Sequence, residues 1–436
     1  MELKKGISLF GVFSIATGAM ISSGIFILPG LAFQMAGSGV FITYLLAGFL
    51  ALMGVFSVIE LATAMPKAGG DFYFINKTFG PLFGTISGFL GWFTLSLKSA
   101  FAIFGISEII FLFTGISPLI SGLLLCFIFV TMNIVGVREA VTFQNVLVSG
   151  LLTLMAVYII SGFPNIEQSR IIGIFSAGVN NIIITAGFVF IAYGGLLQVV
   201  NVSEEVKNPK KNLPWGIILS IVIVTLMYSV ITYIITGTLE PSDFNGSLTP
   251  VADSAKVFLG SYGYWIISIA SLLAFVTTAN AGIMAASRYP LALSRENLLP
   301  QSISKLNKKF NTPTLAIILT GVFIYFSLML PLEMLVKAAS TVVLTSYVLT
   351  NIAVIIFRES KIINYQPSFK TPFYPGIQIA TIIIFILIIA DIGMQAVEIS
   401  LSLLLVSSII YFFYGRKTKN REYALLHLMR RITDKR

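Results

Sequence analysis

The residues with the clearest chemistry in this chain offer backbone groups rather than side chains. Within the first apolar run, Gly18-Ala19-Met20-Ile21-Ser22-Ser23-Gly24-Ile25-Phe26-Ile27-Leu28-Pro29-Gly30 gathers three glycines, two serines and a proline. Glycine and proline are the poorest helix formers, so a helix is expected to break here. The N–H and C=O groups freed by a break cannot face lipid. They must be met inside the protein, and a bound polar solute is the expected partner. A second glycine break, Phe190-Ile191-Ala192-Tyr193-Gly194-Gly195, falls near the middle of a later apolar run.

The composition explains why lipid is the relevant solvent. Over 436 residues the chain is 56% hydrophobic and 11% charged, with a mean hydropathy of +0.93. A soluble chain carries about 25% charged residues. The apolar runs are continuous and near the ~20 residues of a spanning helix, not the alternating ten-residue segments of a β-barrel. An all-α, polytopic membrane protein is expected. Its single cysteine, Cys126, rules out an intrachain disulfide. The lone His427 lies in the tail, so no His/Cys cluster has metal-ligand spacing. No nucleophile–base pair is visible either, and an enzyme is not expected. The chain runs from Lys4-Lys5 straight into the first span, which reads as retained rather than cleaved. The formal net charge of +10 is concentrated past the last span, where the tail alone carries +6. A polybasic segment there suits a membrane face; no nucleic-acid partner is expected.

Twelve spans are expected, near residues 7–29, 40–65, 82–112, 118–136, 141–163, 179–203, 214–238, 262–288, 314–331, 334–357, 375–394 and 397–414. With these edges, 24 of the 28 lysines and arginines fall on the amino-terminal side. Opposite them are Arg170, Lys256 and Lys337, with Lys98 left inside a span. By the positive-inside rule both termini are cytoplasmic. The two breaks fall in the first and sixth spans, five apart. Paired interruptions in corresponding positions of two halves point to a transporter's binding site, and an odd number of spans per half inverts one half relative to the other. The alternative is that Gly194-Gly195 only let helices pack closely.

Several motifs together resemble the amino acid–polyamine–organocation superfamily of permeases, along nearly the whole chain. Gly18 to Phe26 is similar to the family's first-span motif, and Pro66-Lys67-Ala68-Gly69-Gly70-Asp71 to the loop after its second span. Phe190 to Gly195, then Glu204-Glu205-Val206-Lys207-Asn208-Pro209-Lys210-Lys211-Asn212-Leu213-Pro214, resembles its sixth span and the loop behind it. Ser287-Arg288 and Ser294-Arg295-Glu296-Asn297-Leu298-Leu299-Pro300 resemble its eighth span and exit loop. The resemblance implies a 5+5 inverted-repeat core with broken helices 1 and 6. Residues 1–163 would form the first repeat and 179–357 the second. Helices in 375–414 would lie outside the core, followed by a basic tail, 415–436. Members carry amino acids or polyamines by uniport, symport or exchange.

A zwitterionic amino acid presents a carboxylate and an ammonium, both costly to strip of water. A half-helix starting after the first break aims amides and a partial positive charge at an anion. Ser22, Ser23, Gly24 and Ile25 are the expected carboxylate side. Carbonyls near Ala19 to Ile21, and around Phe190, Ile191, Ala192 and Tyr193, with Gly194, Gly195 and Ser99 nearby, are the expected ammonium side. No aspartate or glutamate lies at either break. Glu60 is near the cytoplasmic end of its span, Glu108 lies toward the outside, and Asp391 belongs to the outer helices. Neutral, apolar amino acids are therefore favoured over the alternatives of cationic amino acids or polyamines. Ile191 takes the place where relatives often carry a bulky aromatic gate. A non-transporting amino acid sensor is the rival of another class, disfavoured because the 22-residue tail is too short for a signalling domain.

Lys98 is the one cation deep in a span, and such a residue marks function by default. A lysine that exchanges its proton there would suit a proton carrier; a bond to backbone carbonyls or snorkelling is the bland alternative. Relatives that couple to protons often carry a lysine in the fifth span, but alignment on Gln144-Asn145 puts Leu151 there. Thr277, Thr278 and Asn280 in the eighth span could hold Na⁺ instead, or act as interhelical glue. No cofactor is implied; H⁺ and Na⁺ both stay open as the coupling ion. The expected partners are the amino acid and the lipid bilayer, with the oligomeric state left open.

Overall fold

The structure is a computed structural model that describes residues 6–66, 70–135, 141–201, 203–310, 312–362, 364–417 and 423–433. Lys67, Ala68 and Gly69 of the second-span loop motif, Arg138, and several basic tail residues lie outside this set. Among the described residues the chain is all-helical, apart from one isolated β-bridge between Ile7 and Val206.

The first apolar run is divided into α1 (Leu9–Met20), α2 (Ser23–Phe26) and α3 (Leu28–Ala36). Ser8 caps α1, accepting the Gly11 N–H at 3.2 Å. α4 (Val40–Ala64) follows a turn at Gly37, whose φ of 55° ends α3. The short α5 (Gly70–Phe79) leads into α6 (Pro81–Thr114), then α7 (Pro118–Val135) and α8 (Val141–Gly162). α9 (Val179–Phe188) passes into a 3₁₀ segment, Val189–Tyr193, before α10 (Leu196–Asn201). Next come α11 (Pro209–Thr238), α12 (Pro241–Phe244) and α13 (Pro250–Arg295), the last kinked at Gly260 with φ 65°. α14 (Thr314–Ser327), α15 (Leu332–Ser360), α16 (Gly376–Ile392), α17 (Met394–Phe413) and α18 (Ala424–Thr433) complete the order. Five helices open on proline, whose missing N–H would be unpaired in a first turn anyway.

Seven helices among the described residues are long and apolar enough to cross a membrane by length and composition. Leu9–Met20, Val179–Tyr193 and Thr314–Ser327 are shorter apolar segments. The first two of these end at the two glycine-containing breaks, which is why neither reaches full length as one helix.

Small residues set the spacing of the core. α6 and α13 run antiparallel in one constant register: Gly88 meets Leu293, Gly91 meets Tyr289, Ser99 meets Gly282 and Gly105 meets Phe275. Without a hydrophobic drive between helices in lipid, such close backbone approach maximises dispersion contacts. α7 and α8 turn Leu124, Phe127, Val157 and Ile160 outward as an exposed apolar surface, as lipid requires.

A buried ion pair ties the bundle together at the end of α4. Glu60 is 0% exposed and accepts from Arg358 Nε at 2.8 Å and Nη2 at 2.6 Å. The Tyr365 hydroxyl at 2.9 Å and the Thr371 N–H at 2.8 Å complete its shell. The Arg358 guanidinium also stacks 4.2 Å above the Tyr374 ring. One carboxylate thus fastens α4 to α15 and to the segment leading to α16. It is committed to structure and is not available to a substrate cation.

Candidate functional site

The first break begins where α1 ends. Ile21 is extended (φ −70°, ψ 93°) and its N–H reaches back to the Thr17 carbonyl at 2.8 Å. The remaining carbonyls at this end are met by side chains from three other helices. Lys98 of α6, 2% exposed, donates to the Ala19 carbonyl. Tyr228 of α11 donates to the Met20 carbonyl at 2.8 Å, and Tyr44 of α4 donates to the Gly24 carbonyl at 2.8 Å. Ser22, 1% exposed, keeps its hydroxyl 3.4 Å from the Met20 carbonyl. Ile21 and Ile25 are buried, and Ser23 opens α2, with its side chain outside the described set.

The half-helix expected after the break is itself divided. α2 has four residues, and Ile27 (φ −117°) separates it from α3. Pro29 explains the division: it has no N–H for the Ile25 carbonyl one turn back, and its ring crowds that carbonyl. Of the amides expected to face an anion, that of Ile25 is taken by the Ser22 carbonyl at 3.2 Å. Of the four amides expected there, those of Ser22, Ser23 and Gly24 remain.

The second break is a 3₁₀ segment, and its three-residue turn sorts the predicted residues onto two faces. Ala192 and Gly195 face the first span. A Cβ on Gly24 would lie 2.5 Å from Ala192 Cβ, and one on Gly195 would run into the Ala19 carbonyl. The two breaks are therefore in direct contact, and α1, α6 and the turn before α10 converge on the Ala19 carbonyl. Ile191 and Gly194 face α15. The Ile191 N–H donates to Ser340 Oγ at 3.1 Å, and that hydroxyl donates onward to the Phe188 carbonyl at 2.8 Å. A Cβ on Gly194 would sit 3.1 Å from Val343. Phe190 points away from the first span, its ring edge-on to Tyr347 at 5.8 Å and Phe385 at 5.4 Å. Tyr193 donates to the Tyr44 carbonyl at 2.9 Å and its ring packs 5.8 Å from Tyr228.

Ser340 satisfies both a donor and an acceptor that the 3₁₀ segment leaves over. Ser340→Ala is expected to lower stability by about 1–3 kcal/mol, since a buried amide loses its partner. A thermal melt of purified protein reads the change; an unaltered midpoint would place the Ile191 amide elsewhere.

The remaining predicted residues separate. Ser99 bonds within its helix to Leu95 at 2.8 Å and packs on Gly282. Asn280 accepts from Asn133 of α7 at 2.8 Å, the interhelical bond foreseen as its alternative role. Thr277 is partly exposed and bonds back to Leu273 and Ala274, both at 3.0 Å. Thr278 is buried, with no hydrogen-bond partner for its hydroxyl among the described residues. Leu151 is buried on α8. Lys98 does not snorkel: its ammonium is held at the break itself. No carboxylate among the described residues lies within ion-pair distance of it.

Sequence reasoning missed Tyr44, Tyr228 and Ser340. The available signal was polarity inside apolar runs, because a buried tyrosine or serine hydroxyl must find a partner. It missed as well that the chain before α1 pairs with the chain after α10. Gly6 and Ile7 donate to the Glu205 carbonyl at 2.9 and 3.0 Å, and Lys207 donates to the Ile7 carbonyl at 2.8 Å. The two interrupted segments are thus tied at one end and packed together at their breaks.

Comparison with known proteins places the chain in a family. Residues 7–414 match the amino acid permease family. A branched-chain amino acid permease of Bacillus subtilis is 27% identical over 442 residues, covering 95% of this chain and 94% of the relative. A methylthioribose transporter of the same organism is 28% identical over 448 residues, covering 95% and 94%. A cationic amino acid transporter of Arabidopsis thaliana is 24% identical over 349 residues, covering 74% of this chain and 57% of the relative.

Proposed function

This chain belongs to the amino acid permease family and is a multi-pass membrane protein, and we propose that it carries neutral, apolar amino acids by alternating access across the cytoplasmic membrane. The proposal includes twelve spans with both termini cytoplasmic. Two inverted repeats, residues 1–163 and 179–357, form the core, with the helices of 375–414 outside it. No covalent chemistry is involved.

The observation that carries this reading is the contact between the two breaks, Gly24 on Ala192 and Gly195 on Ala19. Two unwound segments that touch offer amides and carbonyls to one small solute. In this reading the substrate carboxylate is bound by the Ser22 to Gly24 amides, and the ammonium by carbonyls of Ile21 and the Phe190–Tyr193 turn. The absence of aspartate and glutamate from both breaks supports an uncharged side chain, as does the commitment of Glu60 to Arg358. The full-length similarity to a branched-chain amino acid permease points the same way. Lys98 is read as the coupling residue and H⁺ as the coupling ion. In support of this, Lys98 donates to the Ala19 carbonyl at the break itself, beside the Tyr228 bond to the Met20 carbonyl.

Uptake of labelled leucine into proteoliposomes, with imposed pH or Na⁺ gradients, tests the reading. Leucine is expected to accumulate with a pH gradient and to be displaced by isoleucine and valine. Displacement by arginine or putrescine but not by leucine would establish the cationic alternative, and displacement by methylthioribose alone would replace the substrate class. Binding without flux would make the protein a sensor.

A further inference from the structure

The face of α6 that carries Lys98 continues toward the α5 connection as a line of polar and small residues. Ser87, Gly91, Thr94 and Lys98 recur at the three- and four-residue spacing of one helical face. Eleven residues separate Ser87 from Lys98, about 16 Å at 1.5 Å per residue. At the Ser87 end lies Asp71 of α5, 1% exposed. The Ser87 hydroxyl approaches Asp71 Oδ2 at 3.4 Å, and the Tyr289 hydroxyl of α13 donates to Oδ1 at 2.9 Å. Tyr289 lies over Gly91, where a Cβ would come within 2.7 Å of that hydroxyl. One turn on, Thr94 is 1% exposed, and its hydroxyl has no hydrogen-bond partner among the described residues. Phe89, Phe93, Leu95 and Leu293 make the surroundings apolar.

Asp71 is a buried carboxyl with no cation among the groups acting on it, which are Tyr289, Ser87 and its own local backbone. Burial pushes it up to about 6 against those hydrogen bonds. From α15, the Tyr347 hydroxyl is buried, with no hydrogen-bond partner among the described residues. On α5, Lys77 sits 5.8 Å above the Tyr73 ring. On α4, Glu60 is committed to Arg358 of α15. α10 carries no titratable side chain, and α18, packed against α5, carries His427, Arg430 and Arg431.

We propose that Asp71 is the inner proton station of transport, exchanging protons with Lys98 along this face of α6. The Tyr289 and Thr94 hydroxyls act as intermediate donors and acceptors, with water closing the remaining gaps. The inference rests on the reading of Lys98 as the coupling residue. In the transfer, the Lys98 ammonium gives up a proton and becomes a neutral amine. Each hydroxyl accepts one proton and passes one on, and the Asp71 carboxylate becomes a carboxylic acid. Asp71 then releases that proton to the lysine-rich side, so that protons move inward with the substrate.

The test compares two modes of labelled leucine transport by the full chain in proteoliposomes: accumulation driven by a pH gradient, and counterflow at equal pH. Asp71→Asn is expected to lose gradient-driven accumulation and keep counterflow, with Asp71→Glu restoring accumulation. Tyr289→Phe keeps the ring over Gly91 and removes only the hydroxyl, so it should slow accumulation alone. Accumulation at the wild-type level in Asp71→Asn would overturn the proposal, as would parallel loss of both modes in Asp71→Asn and Tyr289→Phe. Lys98→Ala separates the two ideas. If it leaves the pH dependence unchanged, the coupling reading fails; if it changes that dependence and Asp71→Asn does not, only the Asp71 station fails.

Discussion

Gly24→Val is expected to abolish leucine uptake while the chain still inserts into the membrane. A Cβ at position 24 would lie 2.5 Å from Ala192 Cβ and 2.8 Å from Ala192 Cα, and valine adds two more carbons. Neither side can retreat without losing a hydrogen bond. The Gly24 carbonyl is held by Tyr44, the Ile191 amide by Ser340, and the Tyr193 hydroxyl by the Tyr44 carbonyl. Overpacking of this kind costs typically about 1–3 kcal/mol, here concentrated where the breaks must meet. Gly24→Ala should retain some uptake, and adding Ala192→Gly should recover part of the loss by removing one of the two clashing carbons. Uptake per unit of inserted protein is the measurement. Near-normal uptake by Gly24→Val, or no recovery in the double variant, would contradict the contact.

Arg358→Met should have the largest effect on stability. It leaves the Glu60 carboxylate buried with the Tyr365 hydroxyl and the Thr371 amide as its remaining donors. Removing one partner of a buried ion pair costs about 3–5 kcal/mol, whereas replacing both by neutral groups is often close to neutral. Glu60→Gln combined with Arg358→Met is therefore expected to melt nearer the wild type than Arg358→Met alone. A double variant no more stable than the single one would show that the pair itself, rather than the stranded charge, holds α4 to α15.

What could be read from the sequence was local chemistry. The Gly18–Gly30 break was legible because glycine, serine and proline weaken a helix wherever they cluster, and Pro29 also accounts for the division of α2 from α3. Gly194-Gly195 was legible for the same reason. The partners of the breaks were not. Tyr44 reaches Gly24 across 20 residues, Ser340 reaches Ile191 across 149, and Tyr228 reaches Met20 across 208. A tyrosine in an apolar run looks alike whether its hydroxyl meets a carbonyl or the membrane interface. Lys98 stood out as an isolated cation, yet its acceptor, Ala19, is on a helix that packing alone brings near. Asp71 attracted notice only as part of a loop motif, because nothing in its neighbours along the chain foretells Tyr289.

The central claim is that the touching breaks of the first and sixth spans bind the transported amino acid. The most direct test is thiol labelling of Ser22→Cys in a chain whose single native cysteine, Cys126, is replaced by alanine. Leucine is expected to slow labelling at position 22 in a concentration-dependent way, with arginine ineffective. Labelling that is indifferent to leucine, in protein that still transports it, would contradict the assignment of the site.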